Sequence, residues 1–226
     1  MKLITKKLAG AKLLFYDAKS LLSGTATQTG IISSILKHIE NSKATGYAGF
    51  VKKNDLKNSL TNSMFDKHTK STQQKVKSQI EPHKIISSIS QAVDVSKQNS
   101  PMNSLKIFVF PTFSKFVKTK MFGVTGFTPY TAVIHIYIHP QTTNIQAIKN
   151  TVAHEYSHAF RLKYQRWNTL LDSLIFEGIA EHFKETIFPG KISPWAAALK
   201  KREAKKYFQR LSGKLRSLDP GLYKQI

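Results

Sequence analysis

The sequence predicts an α+β protein, because segments with the two-residue period of strands precede longer segments with helical period. In this 226-residue chain, the apolar run at residues 105–110 and the alternating segment at residues 131–138 are typical of strands. From residue 143 onward, apolar side chains recur every three or four positions, which indicates helices. We therefore expect a small mixed sheet packed on a helix, with helical flanks at both ends.

The chain divides into two regions by composition. Residues 1–100 are rich in Lys and Ser and contain helical patterns at residues 31–40 and 64–95, interrupted at Pro82. We interpret them as an N-terminal helical region that packs on the core. Residues 101–226 contain the strand patterns and the longest helical patterns, so we expect them to form the core domain.

Two neighbouring segments in the middle of the chain indicate different local structures. Residues 122–130 (FGVTGFTPY) contain two glycines and a proline but neither the Lys-Ser/Thr pair of a phosphate loop nor a strand-to-helix context, so we interpret them as turns. Residues 131–138 alternate, with Ile134 and Ile136 on one face and His135 on the other. This alternation predicts a strand that is covered on one face.

Three helices are expected after the strands. The first covers residues 143–164. The second covers residues 169–186 and begins with Thr169 and Asp172, which match a capping box. The third covers residues 193–213, with a basic, solvated face. The side chains expected to dock this last helix on the core are Trp195, Leu199 and Phe208.

Composition limits the chemistry. The absence of Cys excludes disulfides, thiol catalysis and iron–sulfur clusters, so a metal would need His and carboxylate ligands. The net charge of +22 favours an anionic partner, but the lysines are scattered and no nucleic-acid reader motif occurs, so nucleic acid is a secondary hypothesis. Residues 151–190 reverse the balance, with four basic and five acidic side chains. Acidic groups therefore concentrate in one window.

Nothing in the sequence predicts a membrane span or an export signal. The first apolar stretch is interrupted by Lys12, and no small-residue cleavage site follows. No apolar run approaches the roughly 18 residues that a transmembrane helix needs. We expect a cytoplasmic protein, and the oligomeric state stays open.

The motif HEYSH, at residues 154–158, is the strongest chemical signal. Residues four apart on a helix share a face, so His154 and His158 present their imidazoles to one point. Two zinc ligands are placed in this way. Glu155 lies about 100° around the helix from His154, where it can act as a general base.

A second acidic motif follows on the next helix. A catalytic zinc needs three protein ligands, and without Cys the third must be His or a carboxylate. Eighteen residues separate Glu177 from His158, and Glu181 lies one turn further along the same face. Glu181 could accept the free ring N–H of a ligand histidine. The small residues Gly178 and Ala180 should let this helix approach the HEYSH helix closely.

This arrangement resembles the gluzincins, zinc peptidases of the HExxH-x18-Glu type. It resembles more closely a family of bacterial proteins predicted to be zinc-dependent proteases, in which HEYxH is followed by LLDSLxxEGxAEHF. This chain has HEYSHAFR and then LLDSLIFEGIAEHF, and the resemblance covers residues 122–187, including GVTGFTP. It implies a zincin-like core with one zinc per chain. It also implies the ligands His154, His158 and Glu177, with Glu155 as the catalytic base.

The resemblance implies hydrolysis of peptide bonds in a peptide or protein substrate, by a metal-activated water that Glu155 deprotonates. Such enzymes bind the substrate backbone along an exposed strand, and residues 131–138 are the candidate, with His135 and Tyr137 facing the substrate. No motif identifies the residue that stabilises the oxyanion. The candidates are His135, Tyr164, His182 and Tyr207.

One of two alternatives is excluded. The metzincin pattern fails, because it requires Gly and His where this chain has Arg161 and Tyr164. The other alternative is a basic protein that binds nucleic acid or an anionic surface and has a structural or vestigial zinc site. Endopeptidase and exopeptidase activity are both compatible with the ligand pattern.

Overall fold

The computed structural model describes residues 3–8, 10–17, 27–41, 53–65, 80–165, 168–190, 193 and 196–218. In this part of the chain a five-stranded mixed sheet is covered by helices, which confirms the α+β class with helical flanks. The strands are β1 (Leu3–Leu8), β2 (Ala11–Tyr16), β3 (Leu105–Pro111), β4 (Val124–Tyr130) and β5 (Val133–Ile138). The helices are α1 (Gln28–Glu40), α2 (Lys53–Met64), α3 (Pro82–Asn99), α4 (Lys115–Lys120), α5 (Ile145–Arg161), α6 (Leu170–Ile187) and α7 (Lys201–Leu211).

The strand order is β1-β2-β3-β5-β4, with parallel pairs in the centre and antiparallel pairs at both edges. The sequence did not predict β1 and β2, which join the same sheet as the core strands. The exposed lysines Lys6 and Lys7 obscure the strand pattern of β1, which lies at one edge. Residues 1–100 therefore supply strands to the sheet as well as helices.

Both faces of the central strands are buried. On one face, Ile107, Ile134 and Ile136 pack in the same cluster as residues of α3 and α5. On the other face, Phe108 and Tyr137 pack in the same cluster as residues of α1 and α2. The prediction of a half-covered strand at residues 131–138 is wrong, since β5 lies between β3 and β4 and every one of its residues is buried.

The prediction of a turn at residues 122–130 is also wrong, because β4 occupies most of this segment and pairs antiparallel with β5. The turn is restricted to Phe122 and Gly123, which have φ angles of 55° and 79°. A register shift between Phe127 and Tyr130 marks a bulge that contains Pro129. Proline is tolerated at such positions because a bulge interrupts the ladder hydrogen bonds.

The two helices that contain the acidic window both begin with a capping residue. Asn144 Oδ1 accepts a hydrogen bond from the backbone N of Ala147 at 2.9 Å at the start of α5. Thr169 and Asp172 form the predicted capping box at the start of α6. No helix in the described ranges is long and apolar enough to cross a membrane.

The last helix differs from its prediction. It begins at Lys201 rather than at residue 193, and Leu199 and Phe208 are about half exposed instead of docked on the core. Trp195 lies outside the described residues. The segment is attached by its backbone instead: the carbonyl oxygen of Leu215 accepts a hydrogen bond from the backbone N of Leu171 at 2.9 Å.

Candidate metal centre

The HEYSH motif lies on α5, which packs on the sheet through Val152 and Tyr156. The two motif histidines lie on another side of this helix. The Nε2 atoms of His154 and His158 are 3.0 Å apart, with the rings nearly perpendicular to each other. The predicted convergence of the two imidazoles is therefore present.

Helix α6 brings Glu177 to the same point. Its Oε2 atom lies 3.2 Å from His154 Nε2, and its Oε1 atom lies 3.6 Å from His158 Nε2. One donor atom from each of the three residues lies within 4.8 Å of the others. The structure thus brings the three residues together, while their role as ligands stays a prediction.

This donor set fits zinc. Zinc–imidazole bonds of about 2.0–2.1 Å in a tetrahedral site place two nitrogen donors about 3.3 Å apart. The observed separation of 3.0 Å between the two Nε2 atoms is close to this value. Two imidazoles and a carboxylate are also the ligand set of many catalytic zinc sites, which keep a fourth position open.

Glu181 contacts the imidazole of His154 from the opposite side. Its Oε1 atom lies 3.0 Å from His154 Nδ1, as expected for a carboxylate that orients a ligand histidine. The other carboxylate oxygen accepts a hydrogen bond from Lys184 Nζ, which also donates to Ser193 Oγ at 2.7 Å. The sequence analysis missed the buried Lys184, although its spacing of three residues from Glu181 on a helix was a usable signal.

The close contacts shift the pKa values of the cluster. Burial by itself would lower the pKa of His154, but its hydrogen bonds to Glu177 and Glu181 raise this pKa to about 10. Burial by itself would raise the pKa of Glu177, but hydrogen bonds from His154 and His158 hold it well below its usual range. The cluster consequently holds a proton that a divalent cation would displace, so metal affinity should fall as the pH falls.

Glu155 lies beneath β4 and is 6% exposed. Thr128 Oγ1 donates a hydrogen bond to Glu155 Oε2 at 2.7 Å. Burial raises the pKa of Glu155, while the neighbouring His158 and His154 and the bond from Thr128 oppose this rise. A carboxylate with a raised pKa that is held by one oxygen is suited to accept a proton.

Gly126 is the point where β4 crosses Glu155. A Cβ atom at this position would lie 2.3 Å from Glu155 Cγ, which is a severe overlap. Glycine is therefore required for the close approach of β4 to α5. The sequence analysis missed Gly126 and Thr128 because it interpreted their segment as turns, although both lie in the GVTGFTP motif.

Of the two small residues predicted to let α6 approach α5 closely, one is buried and the other is exposed. Ala180 is fully buried, but Gly178 is exposed, and a Cβ atom there would meet nothing within 4 Å. The prediction that Gly178 permits the approach is wrong, because this residue lines the open cleft and a larger side chain there would not meet α5. Phe176, which is also fully buried, stacks on the ring of His158.

A cleft of about 1280 Å³ opens over the site. Its lining comes from β4, α5, α6 and the segment that follows α6. Of the four candidates for stabilising an oxyanion, His182 lines this cleft. His135 and Tyr137 are buried on the opposite face of the sheet, so the prediction that they face a substrate is wrong.

Comparison with known proteins gives one relative and one family. No solved structure matches this chain. The uncharacterized protein YjfC of Bacillus subtilis (strain 168) is 32% identical over 78 residues, which cover 32% of this chain and 26% of that protein. The chain thus aligns with about a quarter of the relative's length. A family model described as "Predicted Zn-dependent protease (DUF2268)" matches residues 85–223, which is more than half of the chain and includes α5 and α6. The chain therefore belongs to this family of predicted zinc-dependent proteases.

Proposed function

We propose that this protein is a zinc-dependent peptidase of the gluzincin type. His154, His158 and Glu177 would hold the zinc, and Glu155 would be the general base. The observation that carries this proposal is the convergence of three donor atoms within 4.8 Å on an open cleft, beside a buried carboxylate. The family description supports a protease that depends on zinc.

The reaction requires both a Lewis acid and a base. When bound, zinc supplies the Lewis acidity that polarises a peptide carbonyl and makes water acidic enough to be deprotonated near neutral pH. Glu155 accepts the proton of the attacking water and then delivers it to the leaving amine. Thr128 donates a hydrogen bond to Glu155 Oε2, so we assign the proton transfer to the other oxygen, Oε1.

The substrate backbone needs a strand to pair with, and β4 replaces the strand at residues 131–138 in this role. In the described part of the chain, β4 forms the sheet edge next to the metal centre, and Val124, Gly126 and Phe127 line the cleft. An extended peptide that pairs with the outer edge of β4 would lie across Glu155. We propose this arrangement as the way in which a peptide or protein substrate binds.

We assign stabilisation of the oxyanion to His182. This side chain lies on α6, lines the cleft and is exposed to solvent. Its position one residue after Glu181 directs it away from the three donor atoms, so a small motion of α6 or of the substrate would be needed for contact. A His182→Gln variant that keeps wild-type cleavage rates would remove this assignment.

A peptide-library digestion tests the proposed activity. The protein is incubated with the library after chelator treatment, and again after zinc is restored. Cleavage should disappear with chelator and return with zinc, since the donor set requires the metal. A His158→Ala variant purified in parallel detects a contaminating peptidase, because it should lose zinc and cleavage together. Cleavage that survives the chelator, or that persists in this variant, would exclude the proposal.

A further inference from the structure

Helix α7 presents an apolar stripe that does not pack on the rest of the described chain. Ala204, Tyr207, Phe208 and Leu211 recur at three- and four-residue spacing and therefore lie on one side of the helix. Tyr207 is 50% exposed and Phe208 is 52% exposed. Four of the eight large exposed apolar side chains of the described residues lie within residues 199–218. The apolar exposure is thus concentrated here.

The remaining sides of α7 are strongly basic. The helix contains five basic side chains and one acidic side chain, Glu203. The basic residues are Lys201, Arg202, Lys205, Lys206 and Arg210. At 100° per residue, Lys201 and Lys205 lie next to Phe208 at one border of the stripe. At the other border, Glu203 and Arg210 lie next to Tyr207, and the Arg210 guanidinium is 5.7 Å from the centre of the Tyr207 ring.

Contacts before and after α7 fix its segment on α6. Before the helix, Ser193 Oγ accepts a hydrogen bond from Lys184 Nζ. After the helix, the carbonyl oxygens of Leu215 and Ser217 accept hydrogen bonds from the first backbone N–H groups of α6. The segment is therefore attached at both ends, while the stripe between these contacts faces outward.

We propose that α7 is an interfacial helix that binds the surface of an anionic lipid bilayer. A helix with aromatic and aliphatic residues on one side and Lys and Arg on the others lies in the plane of the bilayer, with its apolar side in the boundary between headgroups and acyl chains. Tyr207, Phe208 and Leu211 enter this boundary. The lysines beside the stripe reach the lipid phosphates.

Charge and apolar exposure together favour a bilayer over other anionic partners. A nucleic acid or an acidic protein would neutralise the lysines, but a flat anionic bilayer takes up the apolar stripe together with the adjacent Lys201 and Lys205. The net charge of the chain, +22, adds long-range attraction to such a surface. This inference does not depend on the proposed peptidase activity.

Vesicle flotation tests the inference with the whole protein. Vesicles made of equal parts phosphatidylglycerol and phosphatidylcholine should carry the protein upward, whereas vesicles of phosphatidylcholine alone should not. Tyr207→Ser combined with Phe208→Ser should weaken binding at least about tenfold, because two buried aromatic side chains are lost. Lys201→Gln combined with Lys205→Gln, the two lysines beside Phe208, should also weaken it about tenfold.

Matched variants carry the same chemical changes elsewhere. Phe116→Ser combined with Tyr164→Ser removes two other exposed aromatic side chains, and Lys6→Gln combined with Lys7→Gln removes two other exposed lysines. Both should bind anionic vesicles like the wild type, and circular dichroism verifies that every variant is folded. Three results would overturn the proposal: absence of wild-type binding, equal loss in the matched variants, or α7 variants that lose binding to single-stranded DNA or polyglutamate but not to vesicles.

Discussion

A histidine lies on each face of the sheet, and their surroundings shift the pKa values of the two imidazoles in opposite directions. On one face, His135 is packed among the rings of Phe108, Phe110 and Tyr137, and burial lowers its pKa to about 3. On the other face, burial would also lower the pKa of His154, but the carboxylates of α6 raise it to about 10. Carboxylate partners therefore reverse, at His154, the lowering of the pKa that burial causes at His135.

The two faces also differ in how accessible their histidines are from solvent. His154 lines a cleft of about 1280 Å³, whereas His135 is fully buried in the cluster that contains residues of α1 and α2. Helix α6 and strand β4 produce this contrast, because α6 supplies the carboxylates and β4 covers Glu155. The face that contains both elements is the one on which we place the chemistry.

On the face of the sheet that contains the metal centre, the largest effect is expected from Gly126→Ala. The new Cβ atom would overlap Glu155 Cγ, so the base or the strand must move. Cleavage should fall about 100-fold, the scale of a misplaced general base, while zinc stays bound. The zinc content and the cleavage rate of one sample test these two expectations.

Gly213→Ala is the control for this change, because a Cβ atom there meets nothing within 4 Å. It should keep the wild-type rate. If Gly126→Ala cleaves as fast as Gly213→Ala, β4 does not hold Glu155 in position.

The next effect is on zinc affinity. Glu181→Gln removes the carboxylate that accepts from His154 Nδ1 and from Lys184, and changes of this kind weaken metal binding about 10- to 100-fold. Competition with a zinc-sensitive dye measures the affinity. Glu203→Gln removes an exposed carboxylate on α7 and should leave zinc affinity unchanged. Equal zinc affinities in the two variants would show that the Glu181 carboxylate does not contribute to zinc binding.

A smaller effect is expected at Thr128. Thr128→Val removes the hydrogen bond to Glu155 Oε2 with little change in volume, and kcat should fall about tenfold with an unchanged KM. Thr128→Ser keeps a hydroxyl and should restore most of the rate. A serine variant as slow as the valine variant would show that packing, rather than the hydroxyl, is required.

The opposite face should affect stability and its pH dependence but not cleavage at neutral pH. Because the folded pKa of His135 is about 3, against an ordinary value of 6.5, the unfolded chain binds more protons between these values, and the free energy of unfolding falls as the pH drops from 6.5 toward 3. The loss is on the order of 4 kcal/mol. His135→Leu should remove this part of the pH dependence.

Urea unfolding across this pH range measures the slope, whatever the absolute stability of the variant. His83→Leu is the control, since it removes an exposed histidine on α3 without changing the buried cluster. A wild-type slope in His135→Leu would mean that His135 is not buried in its neutral form.

The sequence predicted the parts of the site that depend on spacing within one helix. The four-residue step of HEYSH and the position of Glu181 one turn after Glu177 determine which side chains share a face, so their convergence was predictable. Gly126 and Thr128 were not predicted, because their role depends on how a bulged strand crosses another element. For the same reason β5 was taken for an exposed strand: alternation of Ile with His and Tyr is equally compatible with two buried faces.

The prediction of the fold also succeeded where the signal was local and failed where it depended on distant parts of the chain. The period of α5 and the capping box of α6 are local signals and were confirmed. Strand β1 forms a local antiparallel pair with β2, but its exposed lysines obscured this signal, and β2 pairs on its other side with a strand about 90 residues later in the chain, which no local pattern encodes. The start of α7 was misplaced because Ser193 contacts Lys184 rather than capping a helix.

The central claim is that one face of the sheet is a zinc site in which Glu155 acts as the base. Its most direct test is Glu155→Gln, which keeps the shape of the side chain but removes the proton acceptor. Zinc content and peptide cleavage are measured on the same preparation. The proposal predicts about one zinc per chain and no detectable cleavage. A Glu155→Gln protein that still cleaves peptides at the wild-type rate would contradict it.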